Sequence, residues 1–201
     1  MRAPSPSPRC HPERSQDDSL RESLRGVEGP LPTPNHKIRY PQDEIVPELN
    51  STLATALTTR YQKLSAALHD QAAPLTDDEF WRKPFPFGNS VGHLLLHLTG
   101  NLNYYVGAEI AHTGYIRDRP QEFSTPTHPA KQEVLSHFDE AIKIVLNTIH
   151  HQSEDDWSKP YAAKSTDAHT RLEILLICAT HLHHHIGQIM YLTFELQQNR
   201  Q

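Results

Sequence analysis

The sequence predicts an all-α protein, a four-helix bundle preceded by a disordered N-terminal tail. Three observations carry that reading. Apolar residues recur at three- and four-residue steps through four long segments, no period-2 run of strand length occurs, and the composition changes sharply near Pro41. The chain has 201 residues, 36% of them hydrophobic and 21% charged, with a formal net charge of -5. That apolar share is below the usual one for globular domains, so part of the chain is not expected to pack.

Residues 1–41 are that part. They hold 8 of the 16 prolines and only nine hydrophobic residues, and seven Lys or Arg against five acids give them a charge of +2. A segment of this kind cannot bury enough apolar surface to offset the entropy of ordering it. A proline-rich recognition motif is one alternative. Another is a start codon placed upstream of the true one, with the protein beginning near His36. Residues 42–201 then form the bundle domain.

In the first helix, Ile45, Leu49, Leu53, Leu57, Tyr61, Leu64 and Leu68 fall on one face. Pro47 fits only its first turn and Pro74 closes it. The second opens at Asn89 or Ser90, a good N-cap. It carries Val91, Leu94, Leu95, Leu98, Leu102 and Tyr105 and ends near Gly114. The third runs from about Pro129, suited to a first turn, through Val134, Leu135, Phe138, Ile142, Val145 and Ile149. The fourth begins around Asp167 and continues through Leu172, Leu175, Cys178, Leu182, Ile189 and Leu192. Four amphipathic helices of this length make a bundle. The stretch Tyr115 to Thr127 is longer than bundle connections usually are, so it must cross over or cover one end.

Several function classes are disfavoured. Two cysteines, Cys10 and Cys178, cannot build a disulfide framework. The longest apolar run, Ile174 to Thr180, is too short to span a bilayer, and the N-terminus offers no signal-like apolar stretch. The mild acidity argues against nucleic-acid binding. The expectation is a cytoplasmic protein that binds neither nucleic acid nor membrane.

The 15 histidines are the most unusual feature of the composition. At about 100° per residue, with His181 at zero, Ile174, Cys178, Ile189, Leu192 and Leu196 fall between about 20° and 80°. His185 falls at about 40°, inside that stripe, whereas His183 faces solvent near 200° and His184 lies about 60° to the other side. His181 and His185 therefore share the buried face, and His-x-x-x-His on one face offers two imidazoles to one cation. His97, at the edge of the second helix's apolar stripe, is the best third ligand, and His93 lies about 40° further out. Three histidines with an open fourth position are a catalytic rather than a structural arrangement. The plain alternative is a surface histidine tract with incidental metal affinity. Imidazole suits zinc, nickel, iron and copper alike.

The segment Asn89-Ser-Val-Gly-His-Leu-Leu-Leu-His97, with Leu98-Thr-Gly-Asn101 after it, resembles the second helix of the DinB-like superfamily. The segment His181-Leu-His-His-His185-Ile-Gly187-Gln188-Ile189 resembles that family's fourth helix, with its His-x-x-x-His-x-Gly-Gln signature. The resemblance covers roughly residues 43–198. It implies a four-helix bundle in which His97, His181 and His185 hold a divalent metal, the same three that the face argument selects. It points to zinc or nickel first, then iron or manganese, and to a bacterial source. It also implies a hydrolase, or a thiol S-transferase using bacillithiol or mycothiol, so a small molecule and a low-molecular-weight thiol are the expected partners. The stretch Gly114 to Phe123 is similar to a loop of one branch, where arginines and an acid follow the second helix.

Other residues are read from chemistry. Arg117 and Arg119 can hold an anionic group of a substrate, or one of them pairs with Asp118 or Glu122 and fixes the loop. Gln188, about 20° from His181, and Asn101, one turn after His97, can touch substrate or support a ligand, or bond across the bundle. Glu109 and Glu173 lie at angles that put neither beside the metal. Cys178 reads as a small buried hydrophobe. The alternative to an enzyme is a bundle that binds metal or ligand without turnover, in stress sensing or storage. Homodimerisation through a flat helix face is compatible with either.

Overall fold

The computed structural model describes residues 48–124, 127–163, 166–198 and 200. The expected tail, residues 1–41, and the expected first-turn residues Ile45 and Pro47 lie outside the described residues. The elements are α1 (Leu49–Ala72), α2 (Asp77–Trp81), α3 (Val91–Leu102) continued by a π-helical segment (Asn103–Ala108), α4 (Gln121–Ser124), α5 (Lys131–His150), α6 (Glu154–Trp157) and α7 (Arg171–Gln198). No strand occurs among the described residues; Pro160 and Thr170 form an isolated antiparallel bridge.

The four long helices are the expected bundle. On α1 the buried residues are Leu57, Tyr61, Leu64, Leu68 and Ala72, a single stripe at three- and four-residue spacing. On α5 they are Val134, Leu135, Phe138, Ala141, Ile142, Val145, Thr148 and Ile149. On α7 the stripe runs from Ile174 to Leu196. Helices α1 and α3 each pack against both α5 and α7. Deep in the bundle, the fully buried Tyr61 donates its hydroxyl to the Leu175 carbonyl at 2.7 Å.

Helix α3 differs from the others because it is buried nearly all the way round, with Leu96 its one partly exposed residue. Ser90 caps it as expected, accepting the His93 amide at 3.2 Å. Beyond the bundle neighbours it is covered by α2 and α4, neither of which the hydrophobic period revealed. Helices of four or five residues complete too few turns to show one. Local chemistry explains α2 instead: Thr76 and Glu79 form a reciprocal capping box at 3.2 and 2.9 Å.

Three boundaries differ from expectation. Helix α3 leaves the α-helical pattern at Asn103, and its π-helical extension stops at Ala108, short of Gly114. Helix α5 starts at Lys131, and Pro129 stands outside it, where its carbonyl accepts the Trp81 indole N–H at 2.9 Å. Helix α7 starts at Arg171 rather than Asp167; ahead of it, Glu173 reaches back to accept the His169 and Thr170 amides.

Two features of the α2 region generate predictions. A Cβ at Gly92 would stand 2.6 Å from the Trp81 ring, which its bond to Pro129 holds in place. Gly92→Ala should therefore lower stability by about 1–3 kcal/mol in urea titrations. Glu79 is bound by Arg200, whose guanidinium, with the Thr76 amide next, holds the Glu79 carboxyl down at about 2. A depressed carboxyl stabilises the fold above its ordinary value of 4.5, and that contribution disappears as pH falls toward 2. The stability difference between wild type and Glu79→Gln should thus be constant above pH 4.5 and close below it.

Candidate metal centre

Helix periodicity brings three imidazoles to one point. His181 and His185, one turn apart on α7, face His97 on α3. The Nε2 atoms of His97 and His181 are 3.3 Å apart, those of His181 and His185 3.0 Å. One nitrogen from each ring lies within 4.8 Å of the others. The rings meet edge to face, with centroids 4.5–5.2 Å apart. His97 is buried; His181 and His185 are half-buried.

The outer nitrogens decide what the inner ones can do. Nδ1 of His97 lies 2.8 Å from Oε2 of Glu122, and Nδ1 of His185 lies 2.7 Å from Oε1 of Gln188. Both partners are acceptors, so the network assigns the proton to Nδ1 in each ring and leaves Nε2 with a lone pair directed inward. Burial first, then the neighbouring rings of His185 and His97, pushes His181 down to about 4, and burial also lowers His185. His181 and His185 are therefore neutral at neutral pH. Nδ1 of His181 is buried without a partner.

The facing nitrogens fit a divalent cation. Lone pairs opposed at 3.0–3.3 Å repel unless something donates to them, and at most one ring proton is present for two gaps. Nitrogens around a tetrahedral zinc stand about 3.3 Å apart, given zinc–nitrogen bonds near 2.0–2.1 Å. All-imidazole donation suits zinc, nickel, iron or copper better than magnesium or calcium.

Around the cluster, residues 112–124 fold against α3 and bring in Arg117 and Glu122. Arg117 donates from Nε to Oε1 of Glu122 at 2.6 Å and from Nη2 to Oε2 at 2.9 Å. Burial opposes the charge on Glu122, but hydrogen bonds from His97 and Arg117 outweigh it and hold the carboxyl below its ordinary range. A cavity of about 840 Å³ opens beside the cluster. Its lining includes His97, Asn101, Tyr105, Arg119, Cys178 and His181, together with Arg117.

The predicted residues sort clearly. His97, His181 and His185 converge; His183 and His184 are exposed. His93, placed off the axis by its helical angle, is buried against Ser90 and the edge of Trp81. Asn101 lines the cavity, with its Oδ1 buried and unpartnered. Gln188 binds His185, and its amide nitrogen lies 3.2 Å from Nε2 of His184. Arg117 forms the expected pair with Glu122, while Arg119 lines the cavity with its guanidinium 5.6 Å from the Phe123 ring centroid. Glu173 caps its own helix and Glu109 is exposed. The bond from Glu122 to His97 and the tyrosines lining the cavity went unforeseen, because a loop has no helical phase from which to place them. The one sequence signal was the pair Arg117 and Glu122 after the second helix.

An all-α bundle with an inward three-histidine cluster is a class of protein whose fold and site can be matched to relatives. This chain belongs to the DinB superfamily, whose family model matches residues 56–189. No curated protein matches the sequence. Among solved structures, the chain is similar in fold to the conserved protein of locus from Enterococcus faecalis, with a TM-score of 0.60 at 16% identity, over 72% of this chain and 96% of that one.

Burial pushes the Cys178 thiol up to about 12. In a Cys10→Ser background, iodoacetamide at pH 8 should therefore label Cys178 on the order of a thousandfold more slowly in the folded protein than after unfolding.

Proposed function

We propose that this protein is a metal-dependent enzyme acting on a small molecule, by hydrolysis or by transfer of a low-molecular-weight thiol. The observation that carries the reading is the convergence of three inward Nε2 atoms, two of whose rings, His97 and His181, line a cavity large enough for a small substrate. His97, His181 and His185 would hold the cation, zinc or nickel by the chemistry of the donor set. When bound, it supplies Lewis acidity that makes water or a thiol nucleophilic at neutral pH.

The remaining work falls to the chain's own groups. Glu122 and Gln188 fix the orientation of two rings. Arg117 is committed to Glu122, which leaves Arg119 to hold an anionic group of the substrate at the cavity wall. Asn101 offers an unused buried acceptor to a substrate N–H or O–H. Tyr104, Tyr105 and Tyr115 provide an aromatic wall that limits water beside the reacting centre. An open cavity at the cluster supports turnover over storage, for which a sealed site would suffice.

The test is elemental analysis of untagged protein by plasma mass spectrometry. Wild type and His183→Ala should each carry about one equivalent of a single divalent metal, and His97→Ala and His185→Ala should lose it. The loaded protein should then show activity in hydrolysis or thiol-transfer screens that the stripped protein lacks. No metal in wild type, and none taken up on addition, would refute the reading.

A further inference from the structure

We propose that Glu122 is a positioning residue for His97, selecting the tautomer in which the ring's inner nitrogen is free to bind a cation. The inference rests on the metal-site reading above and assigns a role to a residue outside the three-histidine set.

Glu122 sits in a place prepared for it. Gly100 lies three residues after His97 on the same face of α3, and a Cβ there would overlap Oε1 of Glu122 and stand 3.0 Å from its Cδ. The carboxylate fills the volume that a side chain at position 100 would take. Glu122 and Arg117 are about nine-tenths buried at their side chains. Oε2 accepts from Nδ1 of His97 at 2.8 Å and from Nη2 of Arg117 at 2.9 Å, while Oε1 accepts from Nε of Arg117. A buried carboxylate needs such charge-assisted partners, and here they are a ligand ring and its own loop.

The position of Arg117 makes the role specific. Its Nη2 lies 3.3 Å from Nδ1 of His97. Guanidinium nitrogens only donate. With Glu122 in place, the carboxylate accepts a hydrogen bond from Nδ1–H of His97, and Arg117 is satisfied by the same carboxylate. Without it, the nearest group to Nδ1 is a donor, which favours a lone pair there and moves the ring proton to Nε2. An Nε2–H aimed at His181 cannot ligate. Arg117 would thus disable the site that it now supports, and residues 112–124 are coupled to the cation through one carboxylate.

Nitrogen-15 NMR of His97 in chelator-stripped protein reads the tautomer directly, and competition with a chromophoric chelator reads zinc affinity. Wild type should show Nδ1–H. Glu122→Ala should show Nε2–H and bind zinc ten- to a hundredfold more weakly. Gly100→Ala, which keeps every polar group but evicts the carboxylate, should do the same. The zinc-induced protection of amides 112–124 against hydrogen exchange, present in wild type, should be lost in both. An unchanged tautomer and unchanged affinity in both variants, with only the loop loosened, would reduce Glu122 to a loop anchor and overturn the proposal. Wild type that binds no zinc would overturn the metal reading and the coupling, while the stripped-protein tautomer would still decide whether Glu122 orients His97.

Discussion

Enclosing α3 on every side is the constraint from which the rest follows. A helix buried nearly all round has almost no solvent face for polar side chains, so those it carries depend on groups inside the protein, and Thr99 Oγ1 and Asn101 Oδ1 are buried without a partner. His93 is met by Ser90 and the edge of Trp81. His97 is met by Glu122 on one side and by the α7 histidines on the other. Asn101 is left to the cavity. The short helices α2 and α4 complete this enclosure, one bringing Trp81 and the other Glu122. Glycines at 92 and 100 are the points where those covers touch the helix backbone.

Charge is distributed to match. The charged pair beside the inner cluster, Glu122 and Arg117, cancels just outside it. A cation entering such a site keeps its full charge for the chemistry in front of it, because no ligand neutralises it. The ion pair is surrounded by hydrogen bonds, the condition under which a buried pair is tolerated. What it secures here is geometry, since Oε1 is held by Arg117 and Oε2 by Arg117 and His97 together.

The four long helices and the three converging histidines were legible because both depend on a single angle. Once Ile174, Cys178 and Ile189 define a stripe, His181 and His185 are placed inside it and His183 outside without further information. The same rule set His97 above His93. It fails for residues 112–124, where Tyr115, Arg117 and Glu122 acquire positions only through tertiary contact, and for α2, whose five residues announce themselves by a capping box alone. Gln188 shows a subtler limit. Its angle correctly put it near the histidines, but whether it turns to substrate or to His185 depends on a side-chain bond that no helical wheel contains.

Arg117 and Glu122 fasten the loop beside the cluster, and Tyr115, Ile116 and Arg119, from the same stretch of residues 112–124, line the cavity. Scaffold and selectivity are thereby separated along the chain. Positions 115, 116 and 119 form a compact library that can be randomised to change what the cavity admits while the helices, the histidines and the two fastening residues stay untouched.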